Sequence, residues 1–324
     1  MRENMIYCFV LQDLSLISET NIFKLQEQYA VQLGKVCYCD LKNKKILDIN
    51  NNMVDVRNMR ICLRASISFM DEAIELLSCS GAVLLENFDD IERIYNWVEL
   101  KIHNRKIYKL RYKDLLERNI ETDIINREDK IFLKSLKKGF SLICSREQFI
   151  NCDKKLINIL QNFLKWDDEI LVSQYFDIEK DSLGKKEARF FVMNGEIISQ
   201  SRYFLDLKHV VYSKLNRKAM DLVCKISNMN FPSNYVMDLG IFQNGSKSYI
   251  DVIEINPFTS SLCYVNNTIF KEIIPDVKKI VQTTGFGAEY ALDYLENDSR
   301  YNLVRKSNAS YVLINENRFD LIKT

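Results

Sequence analysis

The chain has 324 residues, 47% of them hydrophobic and 27% charged, enough to bury a sizeable core and long for one domain, so two domains or a domain with a smaller lobe are expected. Lys and Arg (45) nearly balance Asp and Glu (44), a net charge of +1, so no global field draws in nucleic acid or an anionic membrane. Binding has to come from a local site.

Residues 5 to 11 are a short apolar run with aromatic and β-branched side chains and read as a first strand. "ETNIFKLQEQYAVQLG" has apolar residues at helical spacing and closes on Gly34, and "KVCYCDL" returns to strand character. "SISFMDEAIELLSCSG" is a second helix ending on Gly81, and the strand "AVLLEN" follows it. Strand and helix alternate over the first ~100 residues, which predicts an α/β domain with a parallel sheet. No G-x-G-x-x-G is present, which argues against a dinucleotide site there.

The pattern changes near residue 104. "KIFLKSLKKGFSLICS" reads as two strands joined by a basic turn at Gly139, "DKKLINILQNFLKW" as a helix, and "EILVSQYFDI" as a strand running into a polar stretch with Gly184. "EARFFVMNGEIISQSRYF" is a hairpin turning at Asn194-Gly195, "NRKAMDLVCKIS" a helix, and "YVMDLGIFQNGSKSYIDVIEINPF" a second hairpin turning at Asn244-Gly245. Antiparallel strands with helices beside them make an α+β lobe. The tail over 283–324 is polar, and its apolar patch "SYVLI" is a candidate added strand. With 3 Pro and no Pro/Gly-rich linker, any domain boundary is a packed joint.

Nine cysteines, an odd number without a C-x-x-C pair, read as small buried hydrophobes of a reducing cytoplasm. Cys37 and Cys39 share a strand face but lack a second ligand pair, and His103 and His209 alone give little material for a zinc site or a His-based triad. "MIYCFVL" is too short for a signal peptide or a span, and no segment reaches the ~20 apolar residues a membrane helix needs. A soluble, cytoplasmic protein is expected.

The chemistry concentrates in the two hairpins. Asp238 lies between Met237 and Leu239, and across the Asn-Gly turn "VIEINP" puts Glu254 and Asn256 on one strand face, because side chains two apart share a face. Two carboxylates and a carboxamide are hard oxygen donors of the kind Mg²⁺ uses when it holds phosphates. The plainer alternative leaves Asp238 and Glu254 solvated on an outer sheet face. On the other hairpin Glu187 and Arg189 share a face and Arg202 returns on the second strand, which can bring fixed positive charge near the metal. Lys134 interrupts an apolar strand, and Lys137, Lys138 and Gly139 form either a lid over phosphates or an ordinary solvated turn.

This succession of basic strand and turn, "LVSQYFDI", E-x-R with an N-G hairpin, a strand Asp and then E-I-N-P resembles the ATP-grasp superfamily. "IEINPFTSSLCYVNN" looks most like its R2K clade, with the cell-division-cycle 123 group more distant, and the resemblance runs over roughly residues 80 to 270. It implies a pre-ATP-grasp α/β domain at 1–103 and an ATP-grasp domain at 104–324, made of a basic-loop lobe (104–175), a metal-binding lobe (176–282) and the tail. Lys134 would then contact the α/β-phosphates of ATP, with the Lys137–Gly139 turn over them. Gln174, Tyr175 and Phe176 would line the adenine pocket, and Asp177 or Glu187 would meet the ribose. Arg189 would stabilise the transferring phosphate, Arg202 would belong to the catalytic set without a fixed role, and Asp238, Glu254 and Asn256 would hold Mg²⁺. The implied activity is carboxylate–amine ligation through an acyl-phosphate on an amino acid, peptide or protein. A homodimer is a candidate assembly. Its rival is a non-catalytic ATP-binding module that docks or assembles another protein.

Overall fold

The computed structural model describes residues 5–16, 27, 30, 31, 34–117, 130–136, 141–181, 184–202, 213–245, 247–261, 302–306 and 310–314. The chain divides into two compact units, one made of Met1–Ile94, Lys180–Leu239 and Glu254–Thr324, the other of Tyr95–Glu179 and Gly240–Ile253.

The first unit opens with a five-stranded sheet of β1 (Met5–Val10), β2 (Val36–Asp40), β3 (Lys45–Leu47), β4 (Arg60–Arg64) and β5 (Val83–Leu84) in the order β3-β2-β1-β4-β5. β1 runs parallel to both β2 and β4, β4 is parallel to β5, and β3 adds an antiparallel edge. β1 is wholly apolar and β4 is apolar between its two terminal arginines, as burial on both faces demands. The helix Ile67–Cys79 buries Met70, Ala73, Ile74 and Leu77, one stripe at helical spacing. Of the helix expected up to Gly34, Glu27, Ala30 and Val31 are described and helical, and Gly34 (φ +63°) closes it with its N–H on the Val31 carbonyl. The remainder of that helix lies outside the described residues.

β3 and β4 of this sheet went unread in the sequence. β4 inserts between β1 and β5, so the run "RICLR" is central rather than connecting chain. "AVLLEN" keeps only two ladder residues, and Glu86 stands just beyond them. The cysteines follow expectation in part. Cys8, Cys37, Cys39, Cys62 and Cys144 are buried, and the Cys8 and Cys39 thiols lie 3.3 Å apart, but Cys79 and Cys224 are exposed. Both sit on amphipathic helices, Ile67–Cys79 and Ser213–Ser227, at positions off the buried stripe.

The second unit is built on the antiparallel sheet β6 (Ile107–Arg111), β9 (Glu169–Gln174), β7 (Lys130–Ser135), β8 (Ser141–Ser145), named in spatial order. Ile131, Leu133, Ile170 and Val172 pack with Leu115, Phe149, Leu156 and Leu160 in one apolar cluster. Ser145 starts the helix Arg146–Ile150 with a capping box to Gln148, and Asp153 caps the helix Lys154–Gln161. That second helix is shorter than "DKKLINILQNFLKW" suggested: beyond its end Leu164 still joins the apolar cluster, while Phe163 and Trp166 are exposed. In the same unit Asp251 accepts hydrogen bonds from the backbone N–H groups of Asn104 and Arg105 (2.8 and 3.1 Å) and from Arg105 Nε (3.0 Å). The Arg105 guanidinium also lies 4.6 Å from the centre of the Phe242 ring.

"EILVSQYFDI" is broken at Tyr175 and Phe176 into β9 and the two-residue β10 (Asp177–Ile178), followed by the short pair β11 (Lys180–Asp181) and β12 (Gly184–Lys185). The two hairpins come next: β13 (Glu187–Met193) with β14 (Glu196–Arg202), and β15 (Tyr235–Asn244) with β16 (Lys247–Asn256). They share a sheet of order β10-β15-β13-β14, with β16 on β15. Asn194 (φ 53°) and Gly195 (φ 75°) give the doubly left-handed turn that an N-G pair favours. Phe191, Met193, Ile198 and Val236 from these strands share one core with Tyr7, Phe9, Tyr38 and Cys62 of the first sheet. β17 (Asn302–Lys306) and β18 (Ser310–Ile314) form a hairpin that includes the expected "SYVLI" strand. Among the described residues no helix is long and apolar enough to cross a membrane.

Gly195 gives a direct test of this turn. A Cβ there would strain a φ of +75° and come within 3.1 Å of Ser227 Oγ. Gly195→Ala is expected to lower stability by about 1–2 kcal/mol in urea unfolding, and adding Ser227→Ala should recover only the contact share. An unchanged midpoint would mean that the turn is not left-handed.

Candidate functional site

β13 is buried at all seven positions, so its alternating residues Glu187, Arg189 and Phe191 project from a strand with no wet face. β15 lies between β13 and β16, and Asp238 occupies its buried middle at 0% exposure. Arg189 meets Asp238 with two parallel hydrogen bonds, Nε to Oδ1 at 2.8 Å and Nη2 to Oδ2 at 2.7 Å. The same Nη2 is 3.9 Å from Glu254 Oε1, and the Asn256 amide nitrogen donates to Asp238 Oδ2 at 3.3 Å. Four residues from three adjacent strands thus converge, all within the first unit.

Their burial excludes a solvated outer face for Asp238 and Glu254; the latter is 9% exposed. A side-on guanidinium suits a carboxylate in geometry as well as charge, and burying either partner alone would be costly. Asp238, Glu254 and Arg189 together carry one net negative charge. Asp238 gives two lone pairs to Arg189 and one to Asn256, while a carboxylate offers about four. Two carboxylates and the carboxamide oxygen of Asn256 are a donor set that fits a hard divalent cation such as Mg²⁺, sharing Asp238 with the guanidinium. Among the described residues no group of three or more His, Cys, Asp and Glu is gathered closely enough to hold a metal, so any such site depends on the Asn oxygen.

The other residues picked from the sequence are distributed as follows. Glu187 is buried on β13, two positions before Arg189. Arg202 ends β14 with its backbone opposite Ala188, not Arg189. Lys134 is on β7 between Ser141 and Leu171 of the flanking strands, half-buried, on the opposite strand face from Ile131 and Leu133. Lys137, Lys138 and Gly139 lie outside the described residues. Gln174 ends β9 opposite Ile131. The Tyr175 hydroxyl donates to Asp177 Oδ1 at 2.7 Å, and this carboxylate, with some burial, raises the pKa of the phenol. The Phe176 ring meets Tyr249 edge-on (5.7 Å), and Tyr249 stacks on Phe242. Lys134 and Gln174 to Asp177 belong to the second unit. A cavity of about 480 Å³ in that unit is lined by Lys101, His103, Lys106 and Lys109 among others, and none of the residues picked from the sequence lines it.

Sequence reasoning missed two charged residues beside the cluster. Arg64, at the end of β4, donates to the carbonyls of Phe258 and Ser261, the latter at 2.5 Å. Glu86, just after β5, accepts from the backbone N–H groups of Phe258 and Thr259, each at 2.6 Å. Both follow apolar strand runs, and that position was the signal available: a charge ending a buried parallel strand points to the carboxyl edge of the sheet.

The parallel N-terminal sheet with its antiparallel edge, followed by the antiparallel sheets, is the architecture of ATP-grasp proteins. The fold is similar to that of D-alanyl-alanine synthetase A from Vibrio cholerae (TM-score 0.51, 12% identity, 92% of this chain and 98% of that one). It is also similar to D-cycloserine synthetase DcsG (0.51, 11%, 89% and 99%) and to VanG D-Ala:D-Ser ligase from Enterococcus faecalis (0.50, 11%, 88% and 96%). At such identities the likeness establishes fold alone. The sequence model of the ATP-grasp domain, R2K clade family 2, matches residues 105–269, just over half of the chain, and the chain belongs to that family. No curated protein matches the sequence.

Burial pushes the Glu86 carboxyl up from 4.5 to about 7, against the lowering effect of the Thr259 side chain, of the two backbone N–H donors and of Arg64. Because the folded value lies above the unfolded one, the stability tied to this group is complete below about 4.5 and is lost as pH rises towards 7. The loss should amount to ~3 kcal/mol. Denaturant unfolding across this window should show wild-type stability falling relative to Glu86→Gln, which cannot titrate. Parallel curves would contradict the shift.

Proposed function

We propose that this chain is an ATP-dependent carboxylate–amine ligase that activates an amino acid or peptide carboxylate as an acyl-phosphate and transfers it to an amine. The observation that carries the reading is the buried Arg189–Asp238–Glu254–Asn256 cluster in a chain of an ATP-grasp family. Transfer of a phosphoryl group asks the protein for positioning and for neutralisation of moving charge, not for a nucleophile or a histidine base. A chain with two histidines meets that demand through arginine and an ion.

Asp238, Glu254 and Asn256 would hold Mg²⁺, which when bound supplies charge neutralisation at the phosphates. Arg189 is already oriented by Asp238, so its fork is fixed before substrate arrives and can be shared with the oxygens of a transferring phosphate. Lys134, with the turn at Lys137, Lys138 and Gly139, keeps its assignment to the α/β-phosphates. Gln174, Tyr175 and Phe176 keep theirs to adenine, Asp177 or Glu187 to the ribose, and Arg202 to the catalytic set. The domains proposed are 1–103 and 104–324.

Saturating ATP with Mg²⁺ is expected to raise the melting temperature, because a ligand that binds only the folded state stabilises it by mass action. A melting temperature unmoved by both would count against the whole reading. ADP release on adding candidate carboxylates and amines then separates a ligase from a nucleotide-binding docking module, which binds without turnover. Glu254→Gln keeps size and removes one charge, so folding should survive while Mg²⁺-dependent turnover falls by about 100-fold or more. Unaltered rate and metal dependence would remove Glu254 from the site.

A further inference from the structure

Arg64 and Glu86 lie outside the family match at 105–269, yet both are spent on the backbone that follows Asn256. Glu86 uses one oxygen for each of two successive N–H groups, those of Phe258 and Thr259. Arg64 uses two nitrogens for the carbonyls of Phe258 and Ser261, and its guanidinium carbon is 5.8 Å from the centre of the Phe258 ring. Every residue of this arrangement is at most 3% exposed: Arg64, Glu86, Phe258, Thr259 and Ser261.

A buried carboxylate and a buried guanidinium are expensive unless fully hydrogen-bonded. Directing them at main-chain groups fixes where a segment runs, since every residue offers the carbonyl and nearly every one the N–H. This segment needs fixing from outside. β16 ends at Asn256, Pro257 cannot donate to a ladder, and a strand end without further pairing frays first. Ser261 Oγ closes the turn onto the Pro257 carbonyl at 2.6 Å. The Phe258 ring meets Phe191 edge-on at 5.4 Å, and Phe191 is two residues from Arg189 on β13. The clamped segment therefore touches the strand that carries the guanidinium and continues the strand that carries Glu254 and Asn256.

We propose that Arg64 and Glu86 are positioning residues, which hold segment 258–261 so that Glu254 and Asn256 are pre-set around a divalent cation beside Arg189. This rests on the metal-binding reading of the cluster given above. The N-terminal sheet thereby acts on the cluster through four side-chain-to-backbone hydrogen bonds, without touching nucleotide or metal.

Mn²⁺ is a suitable probe, since its bound form is counted by electron paramagnetic resonance. Its affinity would be measured in the presence of ATP, above pH 7, for wild type, Glu86→Gln, Arg64→Lys and Glu254→Gln, together with ATP affinity in a chelator. Glu86→Gln keeps shape but turns an N–H₂ group on one of the two amides, and Arg64→Lys keeps charge but loses the fork. Both are expected to weaken Mn²⁺ binding about 10–100-fold, as loss of an outer-shell partner does, with ATP affinity in chelator within about threefold. Folded variants with wild-type Mn²⁺ affinity would overturn the inference alone, as would loss of the folded state in both, which would make the pair a support of the fold only. Failure of wild type to bind Mn²⁺ with ATP, or equal binding by Glu254→Gln, would overturn the metal reading and this inference with it.

Discussion

The Arg189–Asp238 pair is the constraint around which the first unit is organised. Both partners are essentially without water, at 2% and 0% exposure, so each is tolerable only while the other is in place. Two parallel bonds at 2.7 and 2.8 Å demand that β13 and β15 be neighbours in one register. Once that register is set, Glu254 and Asn256 on β16 arrive at the same point, because their strand pairs with the other side of β15. A hydrophobic pair of similar volume could fill the space with less desolvation. What the charged pair adds is direction: its two parallel bonds fix the orientation of the guanidinium.

The apolar core serves the same end. Phe191 and Met193 of β13, Ile198 of β14 and Val236 of β15 pack with Tyr7, Phe9 and Tyr38 of the N-terminal sheet in one cluster, and Phe258 joins it directly after β16. Side chains locked in a close-packed core move little, and so do charged residues two positions away on the same strands. The charged clamp of Arg64 and Glu86 extends this fixation to backbone that no ladder reaches. Rigidity at the cluster is thus supplied by dispersion on one side and by ionic hydrogen bonds on the other.

The second unit solves a related problem with a separate pair. Arg105 and Asp251 are both buried, and Asp251 also takes two backbone N–H groups, so three donors meet the carboxylate. In "YIDVIEINPF" the two acids look alike, but Asp251 is a structural partner of Arg105, and Glu254 belongs to the cluster with Arg189. Sequence cannot separate them, because Arg105 is 146 residues from Asp251 along the chain.

Which residues of the candidate cluster share a strand face was legible in sequence for a simple reason: strand alternation and N-G turns are local, so Glu254 and Asn256 share a face and Glu187 and Arg189 share another wherever those strands go. The same local rules determined both hairpins, the parallel character of the opening domain and the helix Ile67–Cys79. Sequence resemblance then supplied the family. What only the tertiary structure decided was which strands are neighbours and who pairs with whom: β4 entering between β1 and β5, Arg189 on Asp238, Arg105 on Asp251, and Arg64 with Glu86 on the backbone after Pro257. Burial decided the ionisation of Glu86, for the pKa of a carboxyl depends on the water it loses, and that loss is a property of the packed fold. Those contacts join residues up to 197 positions apart, and no periodicity within a strand or helix carries information over that distance.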